Sequence, residues 1–166
     1  SYLFSGRIFP NIYAIEVSLG DLTIEEAETA LQTEWDNNVR IDLTMDGQVM
    51  LQVTPVELGL GINVAEIAIG AKNLGVSGIP LSASVAPIVS VDYATAQTFL
   101  LNLTEKVYVP AYDAGYAWEG GELIAVPGQV GKQLDISMSL ERLSQDPVSV
   151  ILNRHLELLT IELLPM

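Results

Sequence analysis

Apolar and polar positions follow two rhythms along this chain, one of strands and one of helices, and the sequence of rhythms recurs. Ile12 to Leu19 alternates, with Ile15, Val17 and Leu19 on one side, which predicts a strand. Thr23 and Glu26 then stand at the spacing of a helix capping box. Ile24, Ala27, Leu31 and Trp35 form an apolar stripe opposite Glu25, Glu28 and Gln32, predicting a helix to about Trp35. Val39, Ile41, Leu43 and Met45 alternate with Arg40, Asp42 and Thr44, the pattern of a half-buried strand. Asp46-Gly47 is a hairpin dipeptide, and Gln48 to Thr54 is the returning strand. Pro55 and the Leu58-Gly59-Leu60-Gly61 bend lead to Asn63, which caps a second helix from Val64 to about Asn73, with Gly75 at its C-terminal cap. Gly78 and Pro80 predict a loop, and Leu81 to Val91 is extended.

The second half follows the same order. Val89-Ser90 and Thr95 stand 72 positions after Val17-Ser18 and Thr23. The stripe Ala96, Phe99, Leu103 and Val107 stands 72 after that of the first helix. Tyr112 to Trp118 reads as a strand, Glu119-Gly120-Gly121 as a turn, and Glu122 to Val126 as the return. Pro127, Gly131 and Asp135 follow Pro55, Gly59 and Asn63 by 72, and Asp135 opens a helix over Ile136 to Leu143. Asp146-Pro147 starts a short helical turn, and His155 to Leu163 is a strand like the opening one of a further unit. The pattern predicts an α+β fold of two tandem strand-helix-β-hairpin-helix repeats, with helices packed on antiparallel or mixed sheets. The units run over residues 1–92 and 93–166.

Composition narrows the function classes. The 166 residues are 49% hydrophobic and 17% charged, enough to build a real core. No apolar run reaches the ~20 residues of a membrane span, so no membrane insertion is expected. Seven Lys and Arg against 21 Asp and Glu give a net charge of −14, which repels nucleic acid. Without cysteine there is no disulfide or thiolate chemistry. His155 is the single histidine, too few for a His-rich metal site, and is expected on the surface or between strands. No nucleophile elbow, phosphate loop or zinc-protease motif is present. Gly128-Gln129-Val130-Gly131 lacks the Gly-Lys-Ser/Thr ending of a phosphate loop and reads as a bend. Asp42, Asp113 and Glu119 could converge if the two hairpins pack side by side. Asp113 aligns with Arg40 in the repeat, however, which favours a solvated role. No catalytic residue, metal ligand or cofactor is assigned.

Aromatic rings stack on the C–H face of a sugar, which makes Tyr112, Tyr116 and Trp118 the ligand-binding candidates. They fall at alternate positions of one strand. At a spacing of 73 they align with Val39, Leu43 and Met45, the apolar face of the first hairpin, which favours packing in the core.

The runs Gly20-Asp21-Leu22-Thr23-Ile24-Glu25-Glu26-Ala27, Asp113-Ala114 and Val126-Pro127-Gly128-Gln129-Val130-Gly131-Lys132-Gln133-Leu134-Asp135 carry a family resemblance. They resemble the peptidoglycan-binding domain found upstream of VanW-like and L,D-transpeptidase domains, here as two tandem units. The resemblance implies a non-catalytic, extracellular module of a larger bacterial cell-wall protein. Such a module binds the glycan or stem peptide of peptidoglycan, or positions an adjacent catalytic domain of the same polypeptide. The alternative is a ligand-free spacer or protein-interaction module. An L,D-transpeptidase active site would need a cysteine that this chain lacks. The chain opens at Ser1 without methionine, from which we expect a processed or excised piece whose signal or anchor segment lies elsewhere.

Overall fold

The computed structural model describes residues 5–76 and 82–166, and in it the chain reverses three times through a two-residue turn. The turns are Ile15-Glu16, Asp46-Gly47 and Gly120-Gly121, with φ of 42° and 68°, 52° and 78°, and 60° and 83°. Positive φ at both positions matches the right-handed twist of the flanking strands. The turns join β1 (Ile12–Ala14) to β2 (Val17–Ser18), β3 (Ile41–Met45) to β4 (Gln48–Val53), and β8 (Gly115–Glu119) to β9 (Glu122–Val126). The single strand expected over Ile12 to Leu19 is thus two strands and a turn. Ile15 is β-branched and disfavours this backbone region; its side chain is buried in the core, which holds it there.

Helix ends follow local hydrogen bonding. Helix α1 (Ile24–Asn37) opens on the expected capping box: Glu26 N–H donates to Thr23 Oγ1 at 3.2 Å, and Thr23 N–H to Glu26 Oε2 at 2.8 Å. Helix α2 (Val64–Val76) begins after Asn63, whose Oδ1 accepts from Glu66 N–H at 3.2 Å. It runs past Gly75, so that glycine does not cap it; Gly78 and Pro80 lie outside the described residues. Helix α3 (Tyr93–Val107) is capped by Asp92, three residues before the Thr95 that the spacing suggested. Thr95 occupies the first turn and donates both its N–H (3.2 Å) and its hydroxyl (3.0 Å) to Asp92. Asp135 and Asp146 cap α4 (Ile136–Gln145) and α5 (Pro147–Asn153).

The remaining strands are β5 (Leu60–Ile62), β6 (Ala83–Ser84), β7 (Val89–Val91), β10 (Gly131–Leu134), β11 (His155–Glu157) and β12 (Thr160–Leu163). The strand expected over His155 to Leu163 is therefore two strands, and they belong to different sheets. β7 lies antiparallel to β5, and β12 antiparallel to β10. β6 adds parallel to β1, giving the order β2-β1-β6. β11 adds parallel to β3, giving the order β11-β3-β4. The fold is α+β, with five helices among the described residues and small mixed and antiparallel sheets.

The buried side chains form one cluster that runs through both halves. Ala27, Leu31 and Trp35 of α1 meet it from one side; Leu100, Leu103 and Val107 of α3, Leu143 of α4 and Ile151 of α5 belong to it as well. Leu156 sits opposite Leu43 in the β11–β3 pairing, and both are buried. Each such leucine contributes about 1.5–3 kcal/mol by leaving water. His155 takes an inter-strand position, with Nε2 2.6 Å from Thr44 Oγ1.

Three carboxylates are held below their ordinary acidity range. Thr95 lowers Asp92, first through its backbone N–H; Ser149 lowers Asp146, first through its hydroxyl; Thr54 lowers Glu57, first through its backbone N–H. A depressed folded-state pKa means that the unfolded chain binds protons first, so this stabilisation is present above the ordinary values of 3.8 and 4.5 and is lost below them. The urea midpoint should therefore fall as pH drops through that window. A double Asp92→Asn, Asp146→Asn variant, which keeps capping oxygens that do not titrate, should show a shallower acid slope, with a lower midpoint at neutral pH that converges on the native value in acid.

Candidate functional site

The β8–β9 hairpin is the exposed outer end of a longer ladder. Val109 and Lys132 exchange backbone bonds of 2.8 and 2.9 Å, and Tyr112 and Gln129 exchange bonds of 3.0 and 2.7 Å. Gly115 then faces Val126, and Glu119 faces Glu122 at the tip. The two pairs are isolated bridges three residues apart, so the regular pairing is interrupted between them and again before β8 begins at Gly115. At ~3.3 Å per residue the strand proper of this arm, Gly115 to Glu119, spans roughly 16 Å. The root of the arm is in the core, where β10 also pairs with β12.

Two glycines let the root close. A Cβ on Gly128 would sit 2.9 Å from Ala114 N and 3.2 Å from Tyr112 O. On Gly131 it would sit 2.6 Å from Ala111 N and 2.8 Å from the Pro110 carbonyl carbon. Gly128, beside the isolated Tyr112–Gln129 bridge, and Gly131, the first residue of β10, thus serve close backbone approach, and the bend expected at Gly128 to Gly131 is corrected. Gln129 braces the same level: its Oε1 accepts from the Tyr112 hydroxyl at 3.2 Å, and its Nε2 donates to Pro110 O at 2.7 Å.

The aromatic residues are outside, and core packing for them is overturned. Tyr112 is 46% exposed, Tyr116 76% and Trp118 75%. The hairpin stands off the core on both faces, since all five residues of β8 are exposed; the repeat alignment is in addition one residue out, which exchanges the two faces of a strand. The spacing of 73 matches Glu119-Gly120 to Asp46-Gly47. The residues that take positive φ are Gly120 and Gly121, so the turn lies 74 positions on. Tyr116 and Trp118 then correspond to Asp42 and Thr44, and the core-facing Ile41 and Leu43 correspond to Gly115 and Ala117. Residues opposite each other across a ladder share a face. Tyr116 faces Ala125 and Trp118 faces Leu123, so Leu123, which is also exposed, joins the aromatic face. Leu123 was not a sequence candidate; the correct turn register is the signal that finds it. Tyr112 stands apart from this pair, at the Gln129 bridge.

The acidic candidates do not assemble. Asp42 lies on β3 and accepts from Gln52 Nε2 at 2.9 Å, whereas Glu119 lies at the tip of the separate β8–β9 sheet. Among the described residues no cluster of His, Asp or Glu suits a metal ion. A polar groove of about 430 Å³ opens at the root of the arm, lined in part by Asp46, Lys132, Thr160 and Glu162. Lys132 Nζ lies 3.3 Å from Asp46 Oδ2 across it. A second depression beside α3 contains Glu57, but that carboxylate is already bonded to Thr54 at 2.7 and 3.0 Å.

Residues 51–147 match the family described as Putative peptidoglycan binding domain. The match covers more than half of the chain, from Leu51 in β4 to Pro147 at the start of α5, and includes the whole arm. The chain belongs to this family. No curated protein and no solved structure matches it. Of the runs that carry the resemblance, Asp113-Ala114 and Val126 to Asp135 lie inside the peptidoglycan-binding match, and Gly20 to Ala27 precedes it. The family is one of binding modules, named for the cell-wall polymer. Among the described residues no helix is long and apolar enough to cross a membrane.

Two stability measurements check this geometry. Gly131→Ala should cost at least ~2 kcal/mol, because the new methyl meets backbone on three sides, whereas Gly115→Ala, with nothing within 4 Å of its Cβ, should be close to neutral. Trp118→Ala should change the unfolding free energy by no more than about 0.5 kcal/mol, as for other exposed positions.

Proposed function

We propose that this chain is a non-catalytic, extracellular module of a larger bacterial cell-wall protein, and that its β8–β9 arm meets peptidoglycan. The observation that carries this reading is the exposure of Tyr116, Trp118 and Leu123 on one face of the arm in a chain of the peptidoglycan-binding family. Large rings held in water on a regular strand offer flat apolar surface to the C–H face of a sugar, with little rotamer freedom to lose on contact. Tyr112, bonded to Gln129 nearer the root, is a further exposed ring on the same segment. The glycan strand is the part of the polymer that such rings fit. A neighbouring VanW-like or L,D-transpeptidase domain on the same polypeptide would be held at the wall by this contact. We read residues 1–92 and 93–166 as two related units; the pairing of β7 with β5 and of β12 with β10 supports that division.

Cosedimentation with purified sacculi tests the reading. The native chain should be retained saturably and with little dependence on salt, as expected of stacking rather than ion pairing. A Tyr116→Ala, Trp118→Ala variant should bind at least about tenfold more weakly, a loss of ~1.4 kcal/mol, with its melting temperature unchanged. Equal retention of that folded variant would remove the arm from the binding surface.

A further inference from the structure

The three hairpins share a feature that only two of them use. In a hairpin closed by two residues, the pair flanking the turn is hydrogen-bonded, and the residue before it on the first strand points its N–H and C=O outward. That residue is Tyr13 in the first hairpin, Thr44 in the second and Trp118 in the third. Tyr13 O accepts from Val85 N–H at 2.7 Å, beside β6. Thr44 O accepts from Leu158 N–H at 2.7 Å, and Asp42 N–H donates to Arg154 O at 2.9 Å, beside β11. In both cases a short parallel strand fills the outer edge of the hairpin's first strand. Among the described residues no strand covers the same edge of β8, where the outward groups belong to Tyr116 and Trp118.

We propose that the outer edge of β8 is a docking edge for a parallel, extended polypeptide segment rich in lysine or arginine. The two filled edges show that this chain's hairpins accept a third strand of only two or three residues in that orientation. An open edge flanked by exposed apolar side chains is the standard setting for strand addition. Charge selects the occupant. Glu119 and Glu122 face each other at the tip, Asp113 lies toward the root, and no lysine or arginine occurs from Asp113 to Gly131. A second copy of a chain carrying a net charge of −14 would bring like charges together there, whereas a basic strand would neutralise them.

Amide hydrogen exchange on the whole chain, with the peptide acetyl-Lys-Val-Lys-Val-Lys-Val-amide at millimolar concentration, tests the proposal. The Tyr116 and Trp118 amides should gain at least tenfold protection, and those of Ala117 and Glu119, already bonded to β9, should not change. In a Glu119→Lys, Glu122→Lys variant the lysine peptide should lose that protection, and the corresponding Glu-Val peptide should confer it. No added protection in the native chain, equal protection by the Glu-Val peptide, or equal protection by a lysine peptide N-methylated at every second residue would each overturn the proposal. So would the same protection arising from protein concentration alone or from soluble muropeptides. Retention on sacculi without peptide protection would overturn the docking edge and leave the wall-binding reading standing.

Discussion

The parallel pairing of β11 with β3 is the constraint on which the rest of the molecule depends. It brings His155–Glu157 beside Asp42–Thr44 and seats Leu156 against Leu43 in the interior. A parallel neighbour needs a crossover, and here the crossover is most of the chain. Arg154, with φ of 54°, turns the backbone out of α5 and directly into this strand. The buried cluster is consequently continuous from Ile8 to Leu158, and the last part of the sequence supplies a strand to a sheet begun near residue 41. A contact of such sequence separation forms late and slowly compared with the local hairpins and helices.

The third hairpin shows what happens without that partner. β3 turns Ile41 and Leu43 inward, and β11 closes its outer edge. β8 has Gly115 and Ala117 at the corresponding places, which offer almost no apolar surface to bury. Its large side chains are on the other face, and all five of its residues are exposed. The same backbone device thus builds the core in one half and a projecting arm in the other. The division follows from which face carries the bulk.

Much of the fold is legible in the sequence where local chemistry decides. Thr23, Asn63, Asp135 and Asp146 cap the helices expected of them, and Ala27, Leu31, Trp35, Ala96, Leu103 and Val107 are buried as their spacing requires. The misreadings are of two physical kinds. Ile15-Glu16 makes a turn from residues with no turn preference, held by packing that only the folded chain provides. The aromatic residues were misplaced because the repeat implied a core-packed hairpin, whereas this one stands off the core with every residue of β8 exposed; Glu119-Gly120 and Gly120-Gly121 are both acceptable turn dipeptides, which hid the register as well. The site was therefore present among the sequence candidates, with its environment reversed. The two roles of His155 to Leu163 left a trace in the sequence: the apolar positions are even-numbered up to Leu158 and odd-numbered from Leu159, and the chain changes sheets at that break.

The contrast between the two tryptophans has an optical consequence. Trp35 is 3% exposed on the inner face of α1, and Trp118 is 75% exposed on the arm. The native protein therefore contains two well-separated emitters, one shielded from aqueous quenchers and one open to them. Acrylamide would silence the second and leave the first, so intrinsic fluorescence separates events on the projecting strand from events in the interior without any added label.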